Sequence, residues 1–225
     1  MSKLGYFAIY CESYDPRVLT EELGKTFYAE AWFKKYPCCA GNHAAIDCAL
    51  KLVHENEIRP EHIDEVIVTV PPWICESFLN QPFDFEQVPQ VKAAFNLPYN
   101  AANALLRKTV KLEHFTSEAI KDPEVVELAQ KVKLVAEIPS EKARAIGMKV
   151  KMKDGAEFST YVEAPIGEPI HAPLTTEEIK RKFQANVAFS GTVRDENAKE
   201  ALKMIENLDG VDRVTRIVDR LIACN

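Results

Sequence analysis

The chain has 225 residues, 28 Lys and Arg against 34 Asp and Glu, and 47% hydrophobic residues. Such a composition describes a folded protein of one or two domains and excludes long disordered or collagen-like readings. A net charge of −6 offers no global positive field, so neither nucleic acid nor an anionic membrane is expected as a partner.

Eight glycines are about half the usual share, and no GxGxxG or P-loop pattern appears, so a glycine-built phosphate cradle is not expected. Apolar runs such as Val66 to Val70 fall far short of the roughly 18 to 20 residues that span a bilayer. The N-terminal MSKLGYFAIYCES lacks a small-residue cleavage site, which argues against a secretory signal. Six cysteines, Cys11, Cys38, Cys39, Cys48, Cys75 and Cys224, include no CxxC pair and no Cys/His zinc spacing; they suit reduced thiols in the cytoplasm. Adjacent Cys38 and Cys39 would form a strained disulfide and read as two small hydrophobes beside a turn.

In chain order, LGYFAIY resembles the tail of a helix. Phe27 to Tyr36 alternates apolar Phe27, Ala29, Ala31 and Phe33 with other residues, the period of a strand that ends in Lys34 and Lys35. With Asn42 as N-cap, Ala45, Ile46, Ala49, Leu50 and Val53 predict a helix over 43–57. IDEVIVTV, from Ile63, is a strand that Pro71-Pro72 stops. Residues 74–90 read as a loop with one helical turn. Helices over 90–95 and 100–108 are separated at Leu97-Pro98-Tyr99, a break expected to display Tyr99.

A short helix opens at Thr116. Asp122-Pro123 then starts a helix expected to carry Val125, Leu128, Ala129, Val132 and Val135. Ile146, Met148, Val150 and Met152 alternate with Gly147 and three lysines before Asp154-Gly155 turns the chain into Phe158, Thr160 and Val162, a hairpin with a solvated lysine face. Gly167 to Pro173 is a connector to three amphipathic helices, the first with a Thr175-x-x-Glu178 capping box, the second capped by Asp195 and the third following Gly210. The fold class is α+β, with a small antiparallel sheet packed by helices and then a C-terminal helical tail.

Chemistry concentrates in FKKYPCCAGNHAAIDCAL, where two lysines, a proline turn and a helix entry carrying His43 converge. A helix N-terminus presents free N–H groups and a positive dipole end, and a lysine adds an ammonium, so an anionic ligand is one reading. In the other, Lys34 and Lys35 are a solvated strand end and His43 is a hydrogen-bonded cap residue. The acidic pairs Glu21-Glu22 and Glu177-Glu178 read as solvated or capping groups, and no histidine spacing suggests a metal site.

KKYPCCAGNHAAIDCAL, followed by VKAAFNLPYNAANALLRKTVKLEHFTSEAIKDPEVVELAQKVKL, closely resembles the MmgE/PrpD family, whose motifs run as KPYPCCRGTHAAIDAAL, FSLPYAVAVALL and a following DPEVxxLA. That family includes 2-methylcitrate dehydratase, cis-aconitate decarboxylase and iminodisuccinate epimerase. The resemblance runs from about Gly5 to the C-terminus but covers only the family's C-terminal portion. It implies that residues 1–25 end a helical domain, 26–167 form an α+β lid, and 168–225 return to the helical domain. It further implies a cytoplasmic, cofactor-independent lyase acting on a small di- or tricarboxylate, with no metal, most simply a 2-methylcitrate dehydratase-like hydro-lyase. A decarboxylase, an epimerase or a non-catalytic module that docks a helical partner are the alternatives. Carried over by position, Lys34 would neutralise a substrate carboxylate, Tyr99 would hydrogen-bond a carboxylate or hydroxyl, and His43 would orient or exchange a proton. Lys35, Ala40 and Asn42 depart from the family's proline, arginine and threonine. The aspartate, threonine and histidines of the family's helical domain have no counterpart here, so a separate N-terminal helical subunit or a homo-oligomer, such as a dimer, is the expected partner.

Overall fold

The computed structural model describes residues 6–26 and 32–222, and the chain divides into two compact units, 1–31 and 32–225. In the first unit, helix α1 (Tyr6–Tyr10) is followed by a 3-10 turn (Pro16–Leu19) that Asp15 caps through its bond from the Arg17 amide. Phe7 stacks on Tyr14 at 4.2 Å between centroids. The strand expected from Phe27 falls partly outside the described residues. Over 32–36 the backbone is irregular rather than extended in a ladder.

The second unit contains α2 (His43–Glu55), β1 (Ile63–Val70), α3 (Pro72–Glu76), α4 (Pro89–Phe95), α5 (Leu97–Arg107), α6 (Pro123–Gln130), β2 (Val132–Ala136), β3 (Ile146–Met152), β4 (Glu157–Val162), α7 (Thr176–Ser190), α8 (Asp195–Glu206) and α9 (Thr215–Leu221). It is α+β, but its sheet is mixed rather than antiparallel. The order is β2-β1-β3-β4, with β1 parallel to β2 and antiparallel to β3. The parallel pair arises because Val132 to Val135 is not the end of a helix. Apolar residues at 125, 128, 129, 132 and 135 fit a helix, yet 132–136 also satisfies a strand, and pairing Val66 with Val132 and Val68 with Leu134 decides between them.

Alternation works in β1 and β3. Val66, Val68 and Val70 are buried beside Met148 and Val150, and α2 packs against this side through Ala45, Ile46, Ala49 and Leu52. The small alanines let the helix approach closely. The opposite face is charged: Glu65 accepts from Lys133 at 2.6 Å and from Lys151 at 2.9 Å. Those two bonds, Lys133 first, hold the Glu65 carboxyl down at about 2.

Local signals place the helix starts unevenly. Asp122 accepts from the Glu124 amide with Pro123 behind it, and Thr175 and Glu178 complete their reciprocal box. The α8 start differs from expectation, since Asp195 is its first residue and pairs with Lys199 instead of capping. The break near Tyr99 also moves. Asn96 is the N-cap of α5 and accepts from the Tyr99 amide at 2.7 Å, so Pro98 occupies the first turn, where its missing N–H costs nothing. Tyr99 is therefore buried inside the helix start rather than displayed.

Candidate active site at the start of helix α2

The approach to α2 is built by residues 34–42. Cys39 N–H and Asn42 Nδ2 both donate to the Ala94 carbonyl, at 2.9 and 3.1 Å, which pins the turn to the end of α4. At Gly41 a Cβ would sit 2.5 Å from Cδ1 of the buried Leu79, so a larger residue would force that side chain to move. Asn42 stands where a cap is expected but makes no side-chain cap bond. Its Oδ1 is buried and has no partner among the described residues.

His43 follows, 3% exposed, with its ring edge-on to Tyr36 at 5.2 Å. Burial, and after it the Lys34 ammonium, push the imidazole down to about 4, against hydrogen bonding to the Cys38 and Tyr36 backbone. The ring is thus neutral at pH 7. Its Nε2 is buried and without a partner among the described residues. A buried polar atom left unbonded is costly, so its presence calls for an explanation. On α5, Asn100 Oδ1 and Asn103 Nδ2 are also buried without partners among the described residues, although Asn103 Oδ1 accepts from Arg107 at 2.8 Å.

Three groups fasten this wall. Asp47, one turn beyond His43, accepts from the Tyr36 hydroxyl at 2.6 Å and from the Ile166 amide at 2.8 Å. Burial raises its carboxyl above the usual range despite those bonds. Gly167, at φ +103°, lies against the Phe33 carbonyl where no side chain would fit. Glu168, 1% exposed, binds Arg144 at 2.7 Å and the amides of Ile170 and His171, and Arg144 in turn covers the Trp32 ring at 4.2 Å. The segment carrying Lys34 is therefore held to α2 and to residues 165–171 even though it is not a strand.

Of the three residues singled out by resemblance, Lys34 is exposed and His43 buried, and the two are linked by the Lys34 charge that helps to depress the imidazole. Lys35 turns elsewhere, its ammonium 5.3 Å from the Tyr36 ring centroid and its charge felt by Asp47 and Glu178. Tyr99 lies among Phe83 and Phe115, and its hydroxyl donates to the His114 carbonyl at 2.7 Å. No hydrogen bond or ring contact joins it to Lys34 or His43 among the described residues. Cys38 is an inert thiol, since burial, and then the neighbouring Cys39, push it up to about 12.

Sequence reasoning passed over Asp47 and Lys182. Asp47 could have been found from its spacing of one helical turn after His43. Lys182, on α7, acts on both His43 and Cys38. Only the tertiary fold places it there.

The start of α2 thus combines a buried, neutral histidine with lysine charge acting on it. The sequence profile of the MmgE/PrpD C-terminal domain matches residues 36–209, and the chain belongs to the MmgE/PrpD family. Its sequence is also 27% identical to cis-aconitate decarboxylase of Mus musculus over 199 residues, 83% of this chain and 39% of that protein. The chain thus spans well under half the length of that relative. Among the described residues no helix is long and apolar enough to cross a membrane.

Proposed function

We propose that the chain is the C-terminal, substrate-facing part of a cofactor-independent lyase acting on a small di- or tricarboxylic acid, with dehydration of a 2-methylcitrate-like substrate as the preferred reaction. One observation carries this reading: the neutral, buried His43, on which the Lys34 charge acts, has an Nε2 without a partner among the described residues. Dehydration takes a proton from the carbon next to a carboxylate, forms a carbon–carbon double bond and releases the hydroxyl, with a further proton, as water. A neutral imidazole lone pair can accept the first proton. In this reading Lys34, whose charge acts on His43, would neutralise the carboxylate, and a bound carboxylate would in turn raise the basicity of His43. Tyr99 enters as support for the 111–115 turn through its bond to the His114 carbonyl rather than as a surface contact.

Completing the reaction calls for the acid and hydroxyl-binding groups that the family carries on its helical domain. In this reading residues 1–25 end that domain, 26–167 form the lid over the substrate and 168–225 return to it, whether the domain belongs to the same polypeptide, to a separate subunit or to a second copy in a homo-oligomer. Decarboxylation is the second reading, favoured by the similarity to cis-aconitate decarboxylase. The assembled enzyme, supplied with 2-methylcitrate, citrate or cis-aconitate, separates the two. Formation of an unsaturated acid and water without carbon dioxide supports dehydration, carbon dioxide release supports the second reading, and turnover of none of the three overturns both.

A further inference from the structure

Among the described residues Lys34 makes no side-chain hydrogen bond or ion pair, and residues 32–35 make no backbone hydrogen bond. Where its ammonium stands is therefore decided by whatever holds the backbone of 32–36. Three consecutive residues of the loop 165–172 do so. The Ile166 amide donates at 2.8 Å to Asp47, whose other oxygen accepts from the Tyr36 hydroxyl at 2.6 Å. Gly167 lies against the peptides on either side of Lys34: a Cβ there would come within 2.3 Å of the Phe33 carbonyl oxygen and 3.8 Å of the Lys35 nitrogen. Glu168 accepts from Arg144 at 2.7 Å, and that guanidinium lies 4.2 Å from the Trp32 ring centroid.

We propose that the loop 165–172 is a buttress that sets where Lys34 stands relative to His43, and that Glu168 is its positioning residue. The proposal rests on the reading that Lys34 and His43 serve one substrate; Glu168 bonds to neither of them. An enclosed carboxylate is costly unless its oxygens are bonded. Glu168, 1% exposed, uses them on Arg144 and, at 2.6 to 3.0 Å, on the amides of Ile170 and His171 and on the His171 ring. The loop also closes on itself, Gly167 N–H donating to the Ala172 carbonyl at 2.7 Å and Ala172 N–H to the Glu168 carbonyl at 3.1 Å. The loop and Arg144 thus share one anchor, and its loss loosens the Trp32 and Gly167 contacts together.

A double-mutant cycle read by NMR tests the inference in this chain without requiring turnover. The His43 imidazole is titrated with and without Lys34→Ala, first in the unaltered background and then in Glu168→Gln, which turns an amide NH2 toward the Ile170 and His171 amides. Lys34→Ala should raise the His43 pKa in the unaltered background, because an ammonium acting on it is removed, and that rise should at least halve in Glu168→Gln. Gly167→Ala, which keeps the carboxylate and displaces the 33–35 backbone, should shrink the rise as well, so the outcome does not hang on one variant folding. Glu163→Gln, which alters the exposed pair with Lys142, should leave it whole. An equal rise in every background, or no rise in the unaltered one, overturns the proposal. If the rise depends on Glu168 while the assembled enzyme turns over no polycarboxylate, the positioning inference stands and the catalytic reading fails.

Discussion

Two helices of this domain begin after an asparagine, and the two beginnings have opposite chemistry. At α5, Asn96 accepts from the Tyr99 amide and donates to the Gln81 carbonyl, while the Tyr99 hydroxyl finds the His114 carbonyl. The start of α5 is sealed. At α2, Asn42 Oδ1 and His43 Nε2 are buried without partners among the described residues, and the charges of Lys34 and Lys182 act on the histidine. A satisfied cap stabilises a fold, whereas buried, unbonded polar atoms facing uncompensated cations raise the free energy of the empty site. Asn100 Oδ1 and Asn103 Nδ2 are unpartnered as well, but within α5 rather than at its cap, and under the proposed function α2 is the start that a ligand would complete.

The largest effect should come from His43→Gln in the assembled enzyme, which removes the proton acceptor and should lower kcat by about 10²- to 10⁴-fold while the protein stays folded. A fall of less than about threefold in steady-state kinetics would remove His43 from the chemistry. The same residue makes stability depend on pH. Because its folded pKa of about 4 lies below the ordinary value of 6.5, the unfolded chain binds the extra proton first, so the contribution is complete above about pH 6.5 and is lost as pH falls toward 4. Urea titrations across that window should register a loss that is larger in the unaltered chain than in His43→Gln by on the order of 3 kcal/mol. His114, also held near 4 by burial and then by the Arg107 charge, supplies the slope that remains.

Lys34→Ala should reduce kcat/KM about ten- to hundredfold through loss of a carboxylate contact, against less than about threefold for Lys35→Ala. Reversal of that order would assign the charge at α2 to the wrong lysine. Smallest of all is the sealed end: Asn96→Ala should cost about 1 to 2 kcal/mol in chemical denaturation and leave activity per folded molecule unchanged. An activity loss there without a stability loss would dissolve the distinction between the two helix starts.

Much of this was legible before any coordinates. IDEVIVTV, with Val66, Val68 and Val70 on one face, and the alternating IGMKVKM became β1 and β3, and the Thr175/Glu178 box marked α7 at its correct residue. Val132 to Val135 was not legible as a strand, because its apolar spacing satisfies both periods and only the free edge of β1 favours one. Asn96 was passed over for the Pro98 that follows it, which put the helix break in the wrong place and Tyr99 on the wrong side of the surface. At the candidate site, Lys34 and His43 came from the motif, which holds them within one turn and one helix entry. Lys182 could not, since a lysine on an amphipathic helix is ordinary until the fold sets it beside His43.

The central claim, that α2 begins with a neutral histidine waiting for an anion, is tested most directly by following the His43 imidazole nitrogens by NMR as pH is varied, with and without a polycarboxylate such as tricarballylate. A pKa near 4 in the free chain, with Nε2 unprotonated at pH 7 and a pKa that rises when the acid is added, is the expected result. An ordinary pKa near 6.5 that the acid leaves unchanged would contradict it.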